Sequence, residues 1–420
     1  MKVLHVSALN SRTGAGIAAA RLHQGLLGRG VDSRFCAAFP TAGIEATFAP
    51  RLTLPARIGR MARRSVEAWL VRNYSPEHDY VLSTGSVGHD IGKIVAQECP
   101  DILQLHWIGG DSFRLGSLAG VRIPVVWRLS DMWPFCGLEH LEPDREKYAR
   151  QPQWGIGQGG RFFDISEYFR HKKKAIYRSV RDMTIVSPSR WLASEVKRSA
   201  LLGHRETIRI PTSCDTNLFL PKDRAACREV LGIPRDKTVV LVGATSMGTR
   251  WKGLDLFVDA MIQVGKNLSS ESASRLHLVT FGQDVLRATQ LTDLMTAEHF
   301  GHIQDRRLMS VLYNAANVFV APSRMENLAN TVLESLSCGT PAVAFDIGGM
   351  PDMIDHKVNG FLALPFDTAS LAEGIQWVID RRGDEQTAKE ARSKVLREFS
   401  VEGEIDRYIK LYSSILGEKK

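Results

Sequence analysis

Ala321-Pro-Ser-Arg-Met-Glu326-Asn-Leu-Ala-Asn-Thr-Val-Leu-Glu334-Ser-Leu-Ser-Cys-Gly-Thr-Pro341 runs between two β-type stretches, Val318-Phe-Val-Ala and Ala342-Val-Ala-Phe. The order is strand, polar loop, short helix, strand, with Gly339 ending the helix as glycine commonly does. Glu326 falls in the loop and Glu334 about one turn into the helix. Strands that alternate with helices in this way build a mostly parallel sheet covered on both faces.

The same alternation extends in both directions. Thr238-Val-Val-Leu-Val-Gly-Ala is a buried-strand run ending in glycine, followed by a polar loop and the helical stretch 253–264, and Leu276-His-Leu-Val-Thr-Phe is a further strand. Upstream, Val3-Leu-His-Val-Ser, Ile102-Leu-Gln-Leu-His, Val125-Val-Trp-Arg-Leu and Met183-Thr-Ile-Val-Ser read as strands of an earlier unit. The first is followed by the glycine loop Thr13-Gly-Ala-Gly and a helix with apolar positions Ile17, Ala20, Leu22, Leu26 and Leu27. Between the two series lies Ile210-Pro-Thr-Ser-Cys-Asp-Thr-Asn-Leu-Phe-Leu-Pro221, bracketed by prolines and without periodicity. The expected organisation is a Rossmann-like domain over 1–209, a linker over 210–223, a second Rossmann-like domain over 224–400, and a closing helix over 401–420 that packs back toward the first domain. That helix carries a stripe of Ile405, Tyr408, Ile409, Tyr412 and Ile415. The fold class is α/β, two parallel sheets facing across a cleft, where the carboxyl ends of open parallel sheets bind ligands.

Bulk properties agree. A chain of 420 residues exceeds one ordinary core, and 44% apolar with 24% charged residues is globular composition. The start lacks the apolar core and cleavage site of a signal peptide, and no apolar run approaches the roughly 20 residues of a membrane span; a cytoplasmic protein is expected, with the inner face of the membrane as a second location. The six cysteines are scattered with no C-x-x-C pair, which argues against zinc and against a disulfide framework. Residues 1–209 hold 30 Lys+Arg against 19 Asp+Glu, whereas the remainder holds 24 against 27, so the first half carries all of the net charge of +8. That asymmetry suits an anionic partner such as a phospholipid surface, a lipid-linked phosphate or nucleic acid. No basic–aromatic module supports nucleic acid. The cluster 57–72, with Trp69, and the cluster His171-Lys-Lys-Lys-Ala-Ile-Tyr-Arg178 could lie on anionic lipid, or be solvated helix faces.

In the opening stretch the amides of Leu328 to Thr331 should be unpaired donors at a helix start, which attract a diphosphate. Carboxylates on either side can accept hydrogen bonds from sugar hydroxyls. Two plainer readings stay open: Thr331-Val-Leu-Glu334 also spells a capping box, and Glu326 could be a solvated loop acid.

The spacing Pro-Ser-x-x-Glu…Glu-x-x-x-x-Gly-x-Pro resembles retaining glycosyltransferases of family 4, which have the GT-B fold, in an exopolysaccharide-type member. Phe345-Asp-Ile-Gly-Gly-Met-Pro-Asp-Met-Ile, His356-Lys-Val-Asn-Gly-Phe-Leu, Ser187-Pro-Ser-Arg-Trp and Asp215-Thr-Asn-Leu-Phe-Leu-Pro resemble further motifs of that family, in matching order along the chain. The resemblance implies that Glu326 contacts the donor sugar and Glu334 the ribose, with the amides of Asn327, Leu328, Ala329, Asn330 and Thr331 near sugar and diphosphate. It assigns Arg250 and Lys252, in Thr249-Arg-Trp-Lys-Gly253, to charge on the departing diphosphate, and Gly14 and Gly16 to the loop under the donor phosphates. Ser130 stands where related members carry histidine, so Asp131, Arg128 or His106 is expected to compensate.

The implied activity is metal-independent, retaining transfer of a hexose from a UDP- or GDP-sugar co-substrate, without other cofactor, to a saccharide or polyprenyl-linked acceptor. A nucleotide-sugar-binding subunit with weak turnover is the alternative. A nicotinamide oxidoreductase fits poorly, because Gly14-Ala-Gly16-Ile-Ala-Ala lacks the third glycine and Asp32 lies too close.

Overall fold

The computed structural model describes residues 1–8, 13–38, 43–50, 65, 74, 82–110, 112–152, 164–283 and 295–417. The chain divides into two compact units, Met1–Pro211 together with Glu404–Lys420, and Thr212–Gly403.

The first unit contains strands β1 (Lys2–Ser7), β2 (Asp32–Ala37), β3 (Thr47–Phe48), β4 (His89–Asp90), β5 (Ile102–Leu105), β6 (Phe113–Arg114), β7 (Val125–Arg128), β8 (Met183–Ser187) and β9 (Thr207–Arg209). β4 pairs with β6, and the other seven form one sheet in the order β3-β2-β1-β5-β7-β8-β9. Its central strands are short, apolar and buried, as expected where helices cover both faces. The helix Val401–Ile415 contributes Ile405, Tyr408, Leu411 and Tyr412 to this interior, and the Tyr412 hydroxyl donates to Oε1 of Gln104 on β5 at 2.8 Å. Ile409 and Ile415 of the expected stripe are only half-buried, and Leu411 takes the inward position instead.

The second unit has β10 (Thr238–Ser246), β11 (Leu276–Gln283), β12 (Thr296–His299), β13 (Val318–Ala321), β14 (Ala342–Phe345) and β15 (Gly360–Ala363), in the order β12-β11-β10-β13-β14-β15. All pairings in this sheet are parallel. The two-residue period of a strand divides the core into two layers. Val239, Leu241, Phe319, Ala342 and Ala344 face one side, packed with Val332, Leu333 and Leu336 of the helix Asn330–Ser337. Val240, Val242, Val318, Val320 and Val343 face the other, packed with Phe257 and Met261 of the helix Leu254–Asn267 and Leu371 and Ile375 of the helix Thr368–Asp380.

The proline-bracketed stretch is no free tether. From Thr212 onward it is built into the second unit: Cys214 and Phe219 are buried in its core, the Cys214 amide donates to the Phe399 carbonyl at 2.8 Å, and Arg392 donates to the carbonyls of Thr216 and Phe219. Five of the six cysteines are buried thiols and Cys99 is exposed. No helix among the described residues is long and apolar enough to cross a membrane.

The helix Ile165–Ser179 alters the reading of the basic cluster 171–178. Lys173 points inward, donating to the carbonyls of Trp133, Cys136 and Gly137 at 2.5, 2.9 and 2.8 Å, and Tyr177 donates to the Pro134 carbonyl at 2.6 Å. Those two side chains clamp the 133–137 turn and are not available to lipid. The other basic cluster, 57–72, lies outside the described residues except for Ser65.

Two outcomes follow from this packing. A Cβ on Gly374 would sit 2.5 Å from Phe361 Cδ1 and 2.9 Å from Val343 Cγ1. Gly374→Val is therefore expected to cost about 1–3 kcal/mol by overpacking, read as a lower denaturation midpoint. Burial brings the Lys173 pKa down to about 7, below its unfolded value of about 10.4. Between those values the unfolded chain binds more protons, so this group's contribution to stability grows as pH rises and is lost as pH falls through 7. Comparing denaturant unfolding of the wild type with Lys173→Met from pH 7 to 9 checks this: the difference should shift toward the wild type with rising pH.

Candidate functional site

In the second sheet β10 is flanked by β11 on one side and β13 on the other. Chain progression therefore reverses between β10 and β13, and the connections leaving their carboxyl ends diverge to open a crevice. The two loops there are 247–253 and 322–329, the two stretches that carry Lys252 and Glu326.

Backbone contacts hold the loops together. Gly253 has φ of +65°, and a Cβ there would fall 2.0 Å from the Pro322 carbonyl oxygen, so only glycine permits the approach. The Arg324 amide donates to the Trp251 carbonyl at 2.8 Å. The Arg324 guanidinium donates to the Arg250 carbonyl at 2.9 Å and forks onto both carboxylate oxygens of Asp255 at 2.7 and 2.6 Å. That bidentate geometry is the strong form of the interaction, and the hydrogen bonds from Arg324 hold the Asp255 carboxyl below its usual range.

On this scaffold Lys252 Nζ donates to Glu326 Oε2 at 2.6 Å, both side chains remaining partly exposed at 32% and 21%. The Glu326 backbone is gripped from the other side. Its carbonyl accepts from the Gly349 amide at 3.1 Å, and Gly348, at φ +53°, approaches so closely that a Cβ would sit 1.9 Å from that oxygen. The glycine pair in Phe345-Asp-Ile-Gly-Gly-Met thus serves to seat the glutamate loop. Arg250 joins this arrangement through its carbonyl, while its side chain is exposed.

The helix that follows spans Asn330–Ser337, its N-cap is Ala329, and no side chain caps it. The capping box is therefore not formed: Thr331 lies one residue inside the helix, not at the cap. Leu328 packs on the core below and Asn327 is buried. The first-turn amides retain the electropositive helix end. Glu334, one turn on, accepts from the Tyr313 hydroxyl at 3.2 Å and lies 4.0 Å from Arg306, which also faces Asp215 at 3.7 Å and the Phe219 ring at 5.1 Å. Burial, reinforced by the Glu334 charge, raises the Tyr313 pKa well above its usual value, so the phenol stays a donor. Arg324, Tyr313 and Arg306 escaped the sequence reading, because each acts through a partner distant along the chain.

The remaining expected residues stand in the first unit. Gly14 and Gly16 form the first turn of the helix Gly14–Gly28, not a loop. Thr13 caps that helix by accepting from the Gly16 amide at 3.3 Å. His106 is fully buried: its Nε2 lies 2.9 Å from His5 Nδ1, the rings are stacked, and burial pushes both pKa values well down. It is packed as a core histidine. Ser130 and Asp131 follow β7. Asp131 Oδ2 lies 2.6 Å from both Trp107 Nε1 and His140 Nδ1, and its Oδ1 accepts from the Trp133 amide. His140 Nε2 in turn meets Ser83 Oγ at 2.8 Å. Asp131 is thus engaged in ordering the turn that carries Ser130. His140 was not singled out from the sequence, where a lone histidine carries no signal.

Comparison with known proteins places this geometry. Residues 236–381, which hold both loops and both glutamates, match the family model described as glycosyl transferases group 1. The D-inositol 3-phosphate glycosyltransferase of Geodermatophilus obscurus is 30% identical over 230 residues, 51% of this chain and 48% of that protein. D-inositol 3-phosphate glycosyltransferase 1 of Catenulispora acidiphila is 30% identical over 214 residues, 48% and 50% of the two chains. The chain spans about half the length of the curated relatives it matches. Among solved structures, sucrose-phosphate synthase from Thermosynechococcus elongatus aligns over 100% of both chains with a TM-score of 0.66 at 17% identity. Anabaena HepE in complex with UDP-glucose aligns over 99% of this chain and 100% of its own, with a TM-score of 0.65 at 18% identity. The fold is therefore that of the GT-B glycosyltransferases, α/β with two Rossmann-like domains, and the match to the group 1 family model lies within the second unit.

Proposed function

We propose that this chain is a glycosyltransferase that moves a sugar from a nucleotide-sugar donor, with retention of anomeric configuration, to a saccharide or lipid-linked saccharide in cell-surface or exopolysaccharide assembly, working at the inner face of the membrane. The observation that carries the reading is the Lys252–Glu326 pair, 2.6 Å apart where strand order reverses and beside a helix start with no side-chain cap.

The residues suggest a division of labour. Amides at the start of the helix Asn330–Ser337 would take the donor diphosphate. The Lys252 ammonium keeps two N–H donors beyond the one given to Glu326, and these would meet charge that grows on the leaving diphosphate as the anomeric C–O bond breaks. The second carboxylate oxygen of Glu326 would accept from a hydroxyl of the transferred sugar. Glu334, steadied by Tyr313, would take the ribose hydroxyls. The acceptor oxygen forms its bond to the anomeric carbon from the face the diphosphate leaves, and its proton passes to that diphosphate. The chain's contribution is then position and charge, and no metal ion is assigned a role.

Two other readings rest on specific observations. The D-inositol 3-phosphate glycosyltransferases among the relatives favour an inositol phosphate acceptor. Asp131, committed to His140 and Trp107 behind Ser130, favours a donor-binding subunit with weak turnover.

Assays with UDP- and GDP-sugars against saccharide, polyprenyl-phosphate-saccharide and inositol phosphate acceptors separate these readings. Lys252→Ala and Glu326→Ala should each lower kcat by roughly 100- to 1,000-fold while the protein stays folded, and unchanged turnover in Lys252→Ala would defeat the proposal. Donor binding by the wild type without transfer or hydrolysis on any acceptor would favour the subunit. Glu334→Ala should weaken binding of the free nucleoside diphosphate by about tenfold, measured calorimetrically. An unaltered dissociation constant would remove Glu334 from the ribose.

A further inference from the structure

At the opposite edge of the second sheet, where the strands begin, the surface is concave and basic. A groove of about 440 Å³ is lined by Arg224, Arg235, Lys237, Arg275 and Arg382, with Asp236 as its carboxylate. A smaller hollow of about 140 Å³ continues from it past Arg224 and Arg382 to Trp377, Asp384 and Glu385. β10 starts at Thr238 and β11 at Leu276, so Lys237 and Arg275 immediately precede their strands, at the end of the sheet away from Lys252 and Glu326.

The cations differ in how they are employed. The Arg228 guanidinium, beneath the groove, is used up on the carbonyls of Ala315, Arg235 and Lys237 and on Asn317. Arg235 and Arg275 pair with Glu229 and Glu271 on the exposed surface, where such pairs contribute little. Among the described residues the side chains of Lys237 and Arg382 hydrogen-bond only to neutral oxygens, the Ser274 carbonyl and Thr238 Oγ1. The Arg224 side chain has no ion pair or hydrogen bond among the described residues. Its Nε is buried without an acceptor, and burial alone lowers its pKa. A buried guanidinium nitrogen without an acceptor is costly, and native structures rarely leave one so. Arg224 borders both hollows, so an anion seated there would meet the guanidinium edge of Arg224 together with Arg382 and Lys237.

We propose that this groove is a binding site for a phosphate group, separate from the strand-reversal crevice and independent of the donor reading. The Arg224 and Arg382 guanidinium forks on one hollow, with Lys237 beside them, match the tetrahedral, multiply charged oxygens of phosphate better than a single carboxylate. The half-buried Trp377, with Arg381 stacked 4.5 Å from its ring, gives the adjoining hollow an aromatic wall against which the rest of a phosphorylated molecule can lie. The phosphate has two possible carriers, a free phosphorylated small molecule or a lipid headgroup.

The full-length protein tests this with two probes. Binding of inorganic phosphate is measured calorimetrically with saturating UDP present, and co-sedimentation is measured with phosphatidylcholine vesicles containing phosphatidic acid. Arg224→Gln/Arg382→Gln should weaken whichever binding occurs by about tenfold or more, whereas Lys252→Ala should not change it. Lys237→Gln, which leaves Arg224 and Arg382 in place, should produce a smaller loss and guards against misfolding of the double variant. Phosphate binding lost in the variants identifies a free ligand, and vesicle binding lost in the variants identifies a headgroup. If neither probe binds the wild type, or both bind variant and wild type equally, the site does not exist. Because Lys252→Ala is the parallel control, failure here leaves the donor crevice unaffected, and failure there leaves the groove.

Discussion

The second unit's site depends on one close approach: Gly253 against the Pro322 carbonyl, fastened by the Arg324 fork to Asp255. Parallel strand order sends the chain after β10 and after β13 in opposite directions, which opens a crevice but leaves both loops without sheet partners. Backbone polar groups in such loops must be satisfied locally. Here they are satisfied by each other, through the Arg324 amide on the Trp251 carbonyl and the Arg324 guanidinium on the Arg250 carbonyl. The Lys252–Glu326 pair is a consequence, since two chain segments held at this spacing leave an ammonium and a carboxylate facing one another. The glycine pair 348–349 performs the same service for the carbonyl of Glu326 from the far side.

Much of this architecture is legible in the chain because its physics is local. Val239 to Val242 alternate between two packed layers, so the strand reads as a continuous apolar run, and Val318–Ala321 and Ala342–Phe345 do likewise. Strands at the margins are harder. β12 is Thr-Ala-Glu-His at an exposed edge, and β2, Asp-Ser-Arg-Phe-Cys-Ala, mixes charges into its first half because Asp32 and Arg34 are exposed there. Neither presents an apolar signal. The stretch after Pro211 is hard to read for the opposite reason: it has no periodicity, yet Arg392 donates to its backbone carbonyls and its Phe219 fills a core position.

The candidate site residues divide along the same line. Glu326, Glu334 and Lys252 sit in motifs whose spacing survives without knowledge of the fold. His106 does not, since a histidine closing a strand looks alike whether it meets a ligand or stacks on His5. Only burial decides between them. Tyr313 and Arg306 orient Glu334 from another helix and its N-terminal turn, and Asp131 finds His140 across a turn. Such partnerships arise from tertiary contact and leave no local trace. Lys173 shows the same limit for charge, because a run of lysines suggests a solvated or lipid-facing surface while one of them is folded inward onto three carbonyls.

In the proposed reading the helix start at Asn330, Lys252 and the two glutamates jointly receive a nucleoside diphosphate. A crystal structure of the protein soaked with UDP or GDP tests it most directly. The expected result places the diphosphate within hydrogen-bond reach of the amides from Leu328 to Thr331, with Lys252 on a phosphate oxygen and the ribose hydroxyls on Glu334. Diphosphate density elsewhere, or a Glu334 carboxylate turned toward Arg306 and away from the bound ribose, would contradict it.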